Sequence, residues 1–572
     1  MQERSRPFHL SWVLSAVILA GITFTVMWPC VQNGFVNFDD PYTVIDNPLV
    51  RNPSLASVKA IFTERLLWQY HPVTQLSYML ENAVAGLNPH VFHFDNLLLH
   101  VLNTVLVLLF ICLLDGDMKI AWATALLFGI HPMNVEPVAW ITSRKDLLFV
   151  FFYLNTLVCY LWAYERPSLQ RPLHRIALLF FVLALLSKEM AVTLPLVLLM
   201  IDHWKTGRVT KENVMGKWLY FAAAIAFGYL TYLAAQHREV FPGTEQFSLW
   251  GRGVMSGYAL AIYFVKGLLP LDLSCFHPLP PEGSILPLLL SMTFVVMVGI
   301  SFLHFRREPV VVFGILFFLL TVWPALHLVV VNDTVINERY VYLPMIGFFL
   351  ILAKLIDHSW THPSEGTRRF LRVFLISYLA ILAVISYNRC QVWKDSETLW
   401  KNVIQTYPQA SIAYFNLGSH YASTDQLDLA LEYFRKAADR SPRDPQVYYN
   451  MGNVFAAQKK RVRAINAYTD AITLDPAYGD AYINRANQFF YNGAVDSALR
   501  DYTRAVELDP ESILAYANRA ALFEYLAEYD RALDDYERIL MLSPRGLTEA
   551  SVQETVEKKI NTMAGRLPAQ GR

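Results

Sequence analysis

The sequence predicts an all-α protein: a polytopic membrane helical domain followed by an α-solenoid of short helical repeats. Two observations carry that prediction. Residues 10–390 hold one apolar run after another of the length that spans a bilayer, about 20 residues of helix. Near the end of the chain, Asn416, Asn450, Asn484 and Asn518 recur every 34 residues. That period belongs to the tetratricopeptide repeat, a helix–turn–helix unit that stacks into a groove. Composition agrees: 54% of the 572 residues are hydrophobic and the mean hydropathy is +0.30, more apolar than a soluble protein of this length.

The predicted runs are 10–28, 95–114, 120–130 with its continuation, 146–164, 218–235, 253–269, 285–303, 309–331, 340–356 and 371–387. Two shorter pieces, 175–187 and 191–201, flank Lys188 and Glu189 as a tight hairpin. No small-residue cleavage site follows the first run and further spans do, so it reads as retained and not as a signal peptide. A formal net charge of zero argues against nucleic acid as partner. Five cysteines without CxxC spacing signal neither a disulfide framework nor a zinc site.

Short basic loops face the cytoplasm. Arg4 and Arg6 place the N-terminus there, and the segment of about 30–94 outside. Arg166, Arg171 and Arg175 mark an inner loop, as do Lys205, Arg208, Lys211 and Lys217, then Arg306 with Arg307, then Lys354 with Arg368, Arg369 and Arg372. The repeats then emerge on the extracytoplasmic side, which is periplasm in a bacterium and the endoplasmic reticulum lumen in a eukaryote. Three apolar segments lie between Lys217 and Arg306, where an even number must cross. The run 253–269, which carries Lys266, is the candidate re-entrant segment; fusion of the short hairpin into one span is the alternative. The expected division is a membrane domain over 1–390, a linking half-repeat over 391–409, four repeats over 410–544, and a cap and tail over 545–572.

On the outer face this orientation gathers charges that the loop rule does not explain. Asp39 and Asp40 follow the first span. Arg144 and Lys145 follow His131 and Glu136, Lys188 and Glu189 sit at the hairpin tip, and Glu338 and Arg339 open the run near 340. Four basic residues at a membrane boundary suit an anionic lipid headgroup, and a carboxylate on the same rim suits a general base. Taken singly, each has a plainer reading. An Asp pair is commonly a turn or cap, Arg144 and Lys145 a snorkelling pair, and Lys188 with Glu189 a self-neutralising pair. His131 is more often a polar contact than a metal ligand. The joint placement makes the case.

The motifs Phe38-Asp39-Asp40, Tyr70-His71-Pro72-Val73, Phe92-His93-Phe94-Asp95-Asn96, His131-Pro132 through Glu136-Pro137-Val138-Ala139-Trp140, Ser143-Arg144-Lys145-Asp146, Ser187-Lys188-Glu189 and Glu338-Arg339-Tyr340-Val341-Tyr342-Leu343-Pro344 occur in this order. In them, and in the repeats, the chain resembles the transmembrane-and-tetratricopeptide-repeat O-mannosyltransferases. Those are similar to the wider GT-C glycosyltransferases. The resemblance implies a GT-C-like membrane domain and a polyprenyl-phosphate-linked sugar, mannose for this family, as donor. It also implies an acidic motif in the first external loop, where Asp39 and Asp40 stand. On that basis Asp39, or Asp40, takes the proton from a Ser or Thr hydroxyl in a single inverting displacement. Arg144, Lys145, Lys188 and Arg339 neutralise the phosphate, with His131, Glu136, Glu189 and Glu338 as supporting polar groups. No cofactor is required, although paired acids also suit a divalent cation. Animal members usually carry more than the four repeats here, which points to a shortened relative, bacterial or otherwise.

Repeat signatures stay in phase: small residues at Gly418, Gly452, Ala486 and Ala520, then Ala430, Ala464, Ala498 and Ala532. Aromatic rings follow at Phe434, Tyr468, Tyr502 and Tyr536, and prolines at Pro442, Pro476, Pro510 and Pro544. Ser396, Trp400, Val403 and Pro408 match half a unit. The four periodic asparagines fall on the concave face, where amides can hold an acceptor peptide by its backbone; the plainer reading is that asparagine is common at this position. A transporter is the first competing function, but its ionisable residues belong near the midplane in two matching halves, and no such repeat occurs in 1–390. A non-catalytic scaffold that recruits proteins through the repeats is the second.

Overall fold

The computed structural model describes residues 10–63, 70–235, 248–281, 283–326, 334–360, 364–544 and 547–564. Arg4, Arg6 and the tail from 565 lie outside the described residues. The chain divides into two units, Met1–Tyr407 and Pro408–Arg572. All named elements are helical, and the β pairing seen among the described residues is one isolated bridge between Pro278 and Thr334.

In the first unit every predicted apolar run contains a helix. Among the described residues six are long and apolar enough to cross a membrane: Trp12–Gln32, Pro89–Asp115, Ile141–Glu165, Pro167–Ser187, Leu286–Phe305 and Glu365–Val392. Helices Leu286–Phe305 and Glu365–Val392 turn rows such as Leu289, Met292, Val296 and Ile300, or Phe370, Phe374 and Ile381, outward. Apolar faces of that size need a lipid or protein partner.

Local chemistry sets the helix ends. Pro89–Asp115 opens behind Asn88, whose side chain accepts from the His90 N–H, and closes at Gly116 in the left-handed region (φ +87°). Met118–Ile130 does not continue as expected. His131 precedes a proline, adopts extended backbone, and sends the chain into a 3-10 turn over Pro132–Asn134. The run expected from 340 begins at Met345, because Glu338–Val341 forms a 3-10 turn ahead of Pro344. The short pair stays separate, as Gln170–Ser187 and Leu194–Thr206, broken at extended Lys188. Leu249–Leu268, the suspected non-crossing segment, is absent from the six; its buried Lys266 donates to the carbonyls of Leu271 and Asp272, both at 2.9 Å.

The second unit is four helix pairs and a terminal helix. The pairs run Ser411–Ser423 with Leu427–Arg440, Pro445–Ala457 with Arg461–Leu474, Gly479–Tyr491 with Val495–Leu508, and Ile513–Tyr525 with Tyr529–Met541. A Cβ on Gly418 would meet Phe434 at 2.8 Å and one on Gly452 would meet Tyr468 at 2.5 Å, so glycine permits the close approach of paired helices. The terminal helix Leu547–Ala564 closes the stack: Val556 joins the last repeat's core and Gln553 donates to the carbonyls of Ile539 and Leu542.

A second 34-residue rhythm appears only in the backbone. Asp425, Lys459, Gly493 and Ala527 all have positive φ, between 58° and 79°. The residue after each donates to the carbonyl five positions back: Gln426 to Tyr421, Lys460 to Phe455, Ala494 to Phe489 and Glu528 to Phe523, at 2.8–2.9 Å. This is the Schellman ending, in which glycine avoids the Cβ penalty. Ala527→Gly is therefore expected to stabilise the repeats by about 1 kcal/mol and Gly493→Ala to destabilise them by a similar amount, both read from urea unfolding midpoints.

Candidate functional site

The acidic loop sits on a strap. Gly34 N–H donates to the Lys394 carbonyl (2.8 Å), Asn37 N–H to Ser396 Oγ (2.9 Å), and Trp400 Nε1 to Asn37 Oδ1 (2.8 Å). Phe38 stacks on Trp140 at 4.8 Å and meets Trp400 edge-on at 5.4 Å. Helix Ser396–Thr406, expected only to link the repeats, is thus part of the first unit and the floor beneath Asp39.

The two acids differ. Asp40 is buried: Oδ1 accepts from Thr142 Oγ1 (2.6 Å) and Thr142 N–H (3.3 Å), and Oδ2 from Val36 N–H (3.0 Å). Burial pushes its carboxyl up to about 6 while the Thr142 hydroxyl opposes the shift. A carboxyl raised on folding favours the folded state below its unfolded pKa and loses that contribution as pH rises through about 6. Asp39 is half-buried, and among the described residues its carboxylate makes no hydrogen bond or ion pair. Its charge reaches Lys145, which lies in the combined field of Asp39, Lys188, Arg339 and Asp146.

The four basic residues divide as well. Lys145 is buried beside Asp39. Lys188 Nζ donates to Asp146 Oδ1 at 2.5 Å and lies 4.8 Å from the Tyr340 ring. Arg339 Nη1 donates to Glu136 Oε1 (2.7 Å) and Asn337 Oδ1 (3.3 Å), and the guanidinium packs 4.9 Å from both the Trp140 and Tyr340 rings. Arg144 departs from expectation. Only 2% exposed, it forks onto Glu81, donates to Asn96 Oδ1 (2.8 Å) and the Phe92 carbonyl (2.7 Å), and is sandwiched by Tyr78 and Phe92. Four hydrogen bonds within the fold engage all three of its nitrogens, so it anchors the helix of Lys145 and is poorly placed to serve a lipid phosphate.

Of the supporting polar residues, Glu136 joins the site through Arg339. Glu338 instead ties loops together, accepting from Ser274 N–H (2.8 Å), His277 (3.2 Å) and Arg389 (3.5 Å). His131 caps Met133 N–H and bonds the Gly267 carbonyl, away from Glu136. Glu189 pairs with His71 at 2.7 Å. Among the described residues no group of three His, Cys, Asp or Glu is placed to hold a metal ion.

In the second unit Asn416, Asn450 and Asn518 donate to the carbonyl one turn back in their own helices, at 2.8–3.0 Å. Asn484 differs, donating to Tyr449 Oη and Asn453 Oδ1 across to the preceding repeat, both at 3.0 Å. All four remain partly exposed.

A family profile described as tetratricopeptide repeat matches residues 393–445 and 449–513. Across 511 residues the chain is 25% identical to Protein O-mannosyl-transferase TMTC1 of Homo sapiens, an alignment that takes in 77% of this chain and 57% of that protein. Against Protein O-mannosyl-transferase TMTC3 of Homo sapiens it is 23% identical over 478 residues, 75% of this chain and 51% of that protein. Over about three quarters of its length the chain is similar to the transmembrane-and-tetratricopeptide-repeat O-mannosyltransferases. It spans a little over half the length of these two relatives. Among solved structures it is similar to the crystal structure of MamA, with 21% identity over 28% of this chain and 90% of that chain and a TM-score of 0.24.

Several residues around the acidic loop escape a reading of the sequence. Thr142, which holds Asp40, is 102 positions away. Glu81, which holds Arg144, is on the helix Pro72–Ala85 with nothing local to distinguish it. Asp146, adjacent to Lys145, was legible as a charge but not as the partner of Lys188. Trp140, inside one of the family motifs, was the strongest overlooked signal.

Proposed function

We propose that this protein is a membrane glycosyltransferase that moves a monosaccharide, mannose by analogy with its O-mannosyl-transferase relatives, from a polyprenyl-phosphate carrier to Ser or Thr hydroxyls of proteins held by the repeats. The observation that carries the reading is the half-buried Asp39 carboxylate, without a hydrogen bond or ion pair among the described residues, whose charge reaches Lys145 together with those of Lys188 and Arg339. Asp39 accepts the hydroxyl proton as the oxygen attacks the anomeric carbon. The bond from that carbon to the phosphate oxygen breaks, and its electron pair stays on the carrier phosphate. Negative charge grows there, which is the charge that fixed cations stabilise best. A single displacement of this kind inverts the anomeric configuration. Lys145, Lys188 and Arg339 serve the phosphate; Arg144 supports them through the fold. Asp40 holds the loop, so the pair divides into one acting and one positioning acid.

In this reading the rim and the repeats are extracytoplasmic, as the basic-loop pattern suggests, where a donor and an unfolded acceptor segment meet. Purified protein, a lipid-linked mannose and a Ser/Thr peptide test the reading: a hexose mass gain on the peptide supports it, and peptide binding without any gain favours the scaffold. Changing Asn416, Asn450, Asn484 and Asn518 together to Ala is expected to weaken peptide binding about tenfold, measured by fluorescence anisotropy, with circular dichroism unchanged. Unaltered affinity would remove the asparagines from the groove's function.

A further inference from the structure

Buried polar side-chain atoms normally find partners, so a concentration of exceptions asks for an explanation. Four such atoms, each without a hydrogen-bond partner among the described residues, belong to one cluster: Trp140 Nε1, Trp393 Nε1, Arg339 Nε and Glu136 Oε2. Trp140, Trp393 and Glu136 are fully buried. The two indoles stack at 5.9 Å with planes 20° apart, Arg339 packs 4.9 Å from Trp140, and Arg339 joins Glu136 through their other atoms. Phe38, the residue before Asp39, covers the Trp140 ring. The cluster therefore adjoins the acidic loop.

Its chemistry is selective. Three N–H groups ask for acceptors and one carboxylate oxygen asks for a donor. A phosphate ester at neutral pH accepts but does not donate, and would face Glu136 with like charge. Hydroxyls on neighbouring carbons do both. The Trp140 ring is stacked against Phe38 and Trp393, so the indoles have their N–H edges to offer.

We propose that Trp140, Trp393, Arg339 and Glu136 form a hydroxyl-reading subsite that holds the sugar ring of the donor. This rests on the glycosyl-transfer reading and specifies which residues recognise the sugar, with Trp140, Trp393 and Glu136 given to the sugar alone and Arg339 shared between the sugar, through Nε, and the phosphate. Trp140→Phe and Trp393→Phe each delete one N–H while keeping an aromatic ring to stack. Binding of polyprenyl phosphate, polyprenyl-phosphate mannose and free methyl mannoside is measured on the full chain in nanodiscs. Each variant is expected to bind the sugar-bearing carrier about tenfold more weakly and the sugar-free carrier as wild type does. Equal loss for both carriers, or no loss for either, overturns the subsite. If wild type binds methyl mannoside but neither carrier, and the Phe variants lose it, the subsite stands and the donor assignment falls. If wild type binds none of the three, both fall.

Discussion

Asp39→Asn is expected to lower sugar transfer by about 10²–10⁴-fold while leaving peptide affinity unchanged, because it removes a general base and nothing that holds the loop. The prediction depends on the unequal surroundings of two adjacent acids. Asp39 makes no side-chain hydrogen bond or ion pair among the described residues, whereas Asp40 accepts three hydrogen bonds from Thr142 and Val36. In Asp40→Asn the amide oxygen can still accept from Thr142, but the amide nitrogen cannot accept from the Val36 N–H. Leaving that group unsatisfied costs about 1–3 kcal/mol. Asp40→Asn should therefore loosen the loop and reduce transfer about tenfold through misplacement. Initial rates at saturating donor, taken with peptide titrations, separate the two. A larger loss for Asp40→Asn than for Asp39→Asn would exchange their roles.

Arg144→Ala should act on the fold before it acts on chemistry. Glu81 and Arg144 are both buried, 7% and 2% exposed, and removing the arginine strands a carboxylate inside. Breaking a buried pair from one side costs about 3–5 kcal/mol. Asn96 Oδ1 and the Phe92 carbonyl also lose their donor. A fall in thermal midpoint in detergent, together with reduced yield, is the expected readout. Lys145→Ala is expected to lower turnover, because a cation in the field of Asp39 is lost. If Arg144→Ala folds normally and loses carrier binding alone, the internal assignment of Arg144 is wrong.

Much of the architecture was legible because it follows from periodicity. Membrane length and the 34-residue spacing are one-dimensional signals, and both became helices where expected. Prolines corrected the details: His131-Pro132 and Pro344 ended or delayed helices that hydropathy alone would have continued. The Schellman endings were hidden because three of the four left-handed positions are Asp, Lys and Ala, so no glycine repeat announces them. At the site, the charges are legible in the sequence but their pairings are not. Whether an arginine faces a ligand or a buried glutamate depends on a partner 63 residues away in sequence, as with Arg144 and Glu81. The same holds for the strap: Ser396 and Trp400 read as half a repeat, and their hold on Asn37 spans more than 350 residues.

Asp39, Lys145, Lys188 and Arg339 together form the proposed site for the carrier phosphate. A structure of the protein bound to a polyprenyl phosphate tests this most directly. The phosphate should lie within hydrogen-bonding distance of Lys145 and Arg339, on the side of the membrane where Asp39 sits, with Arg144 still engaged by Glu81. A phosphate found at the basic loops of the opposite face, touching neither Lys145 nor Arg339, would contradict it.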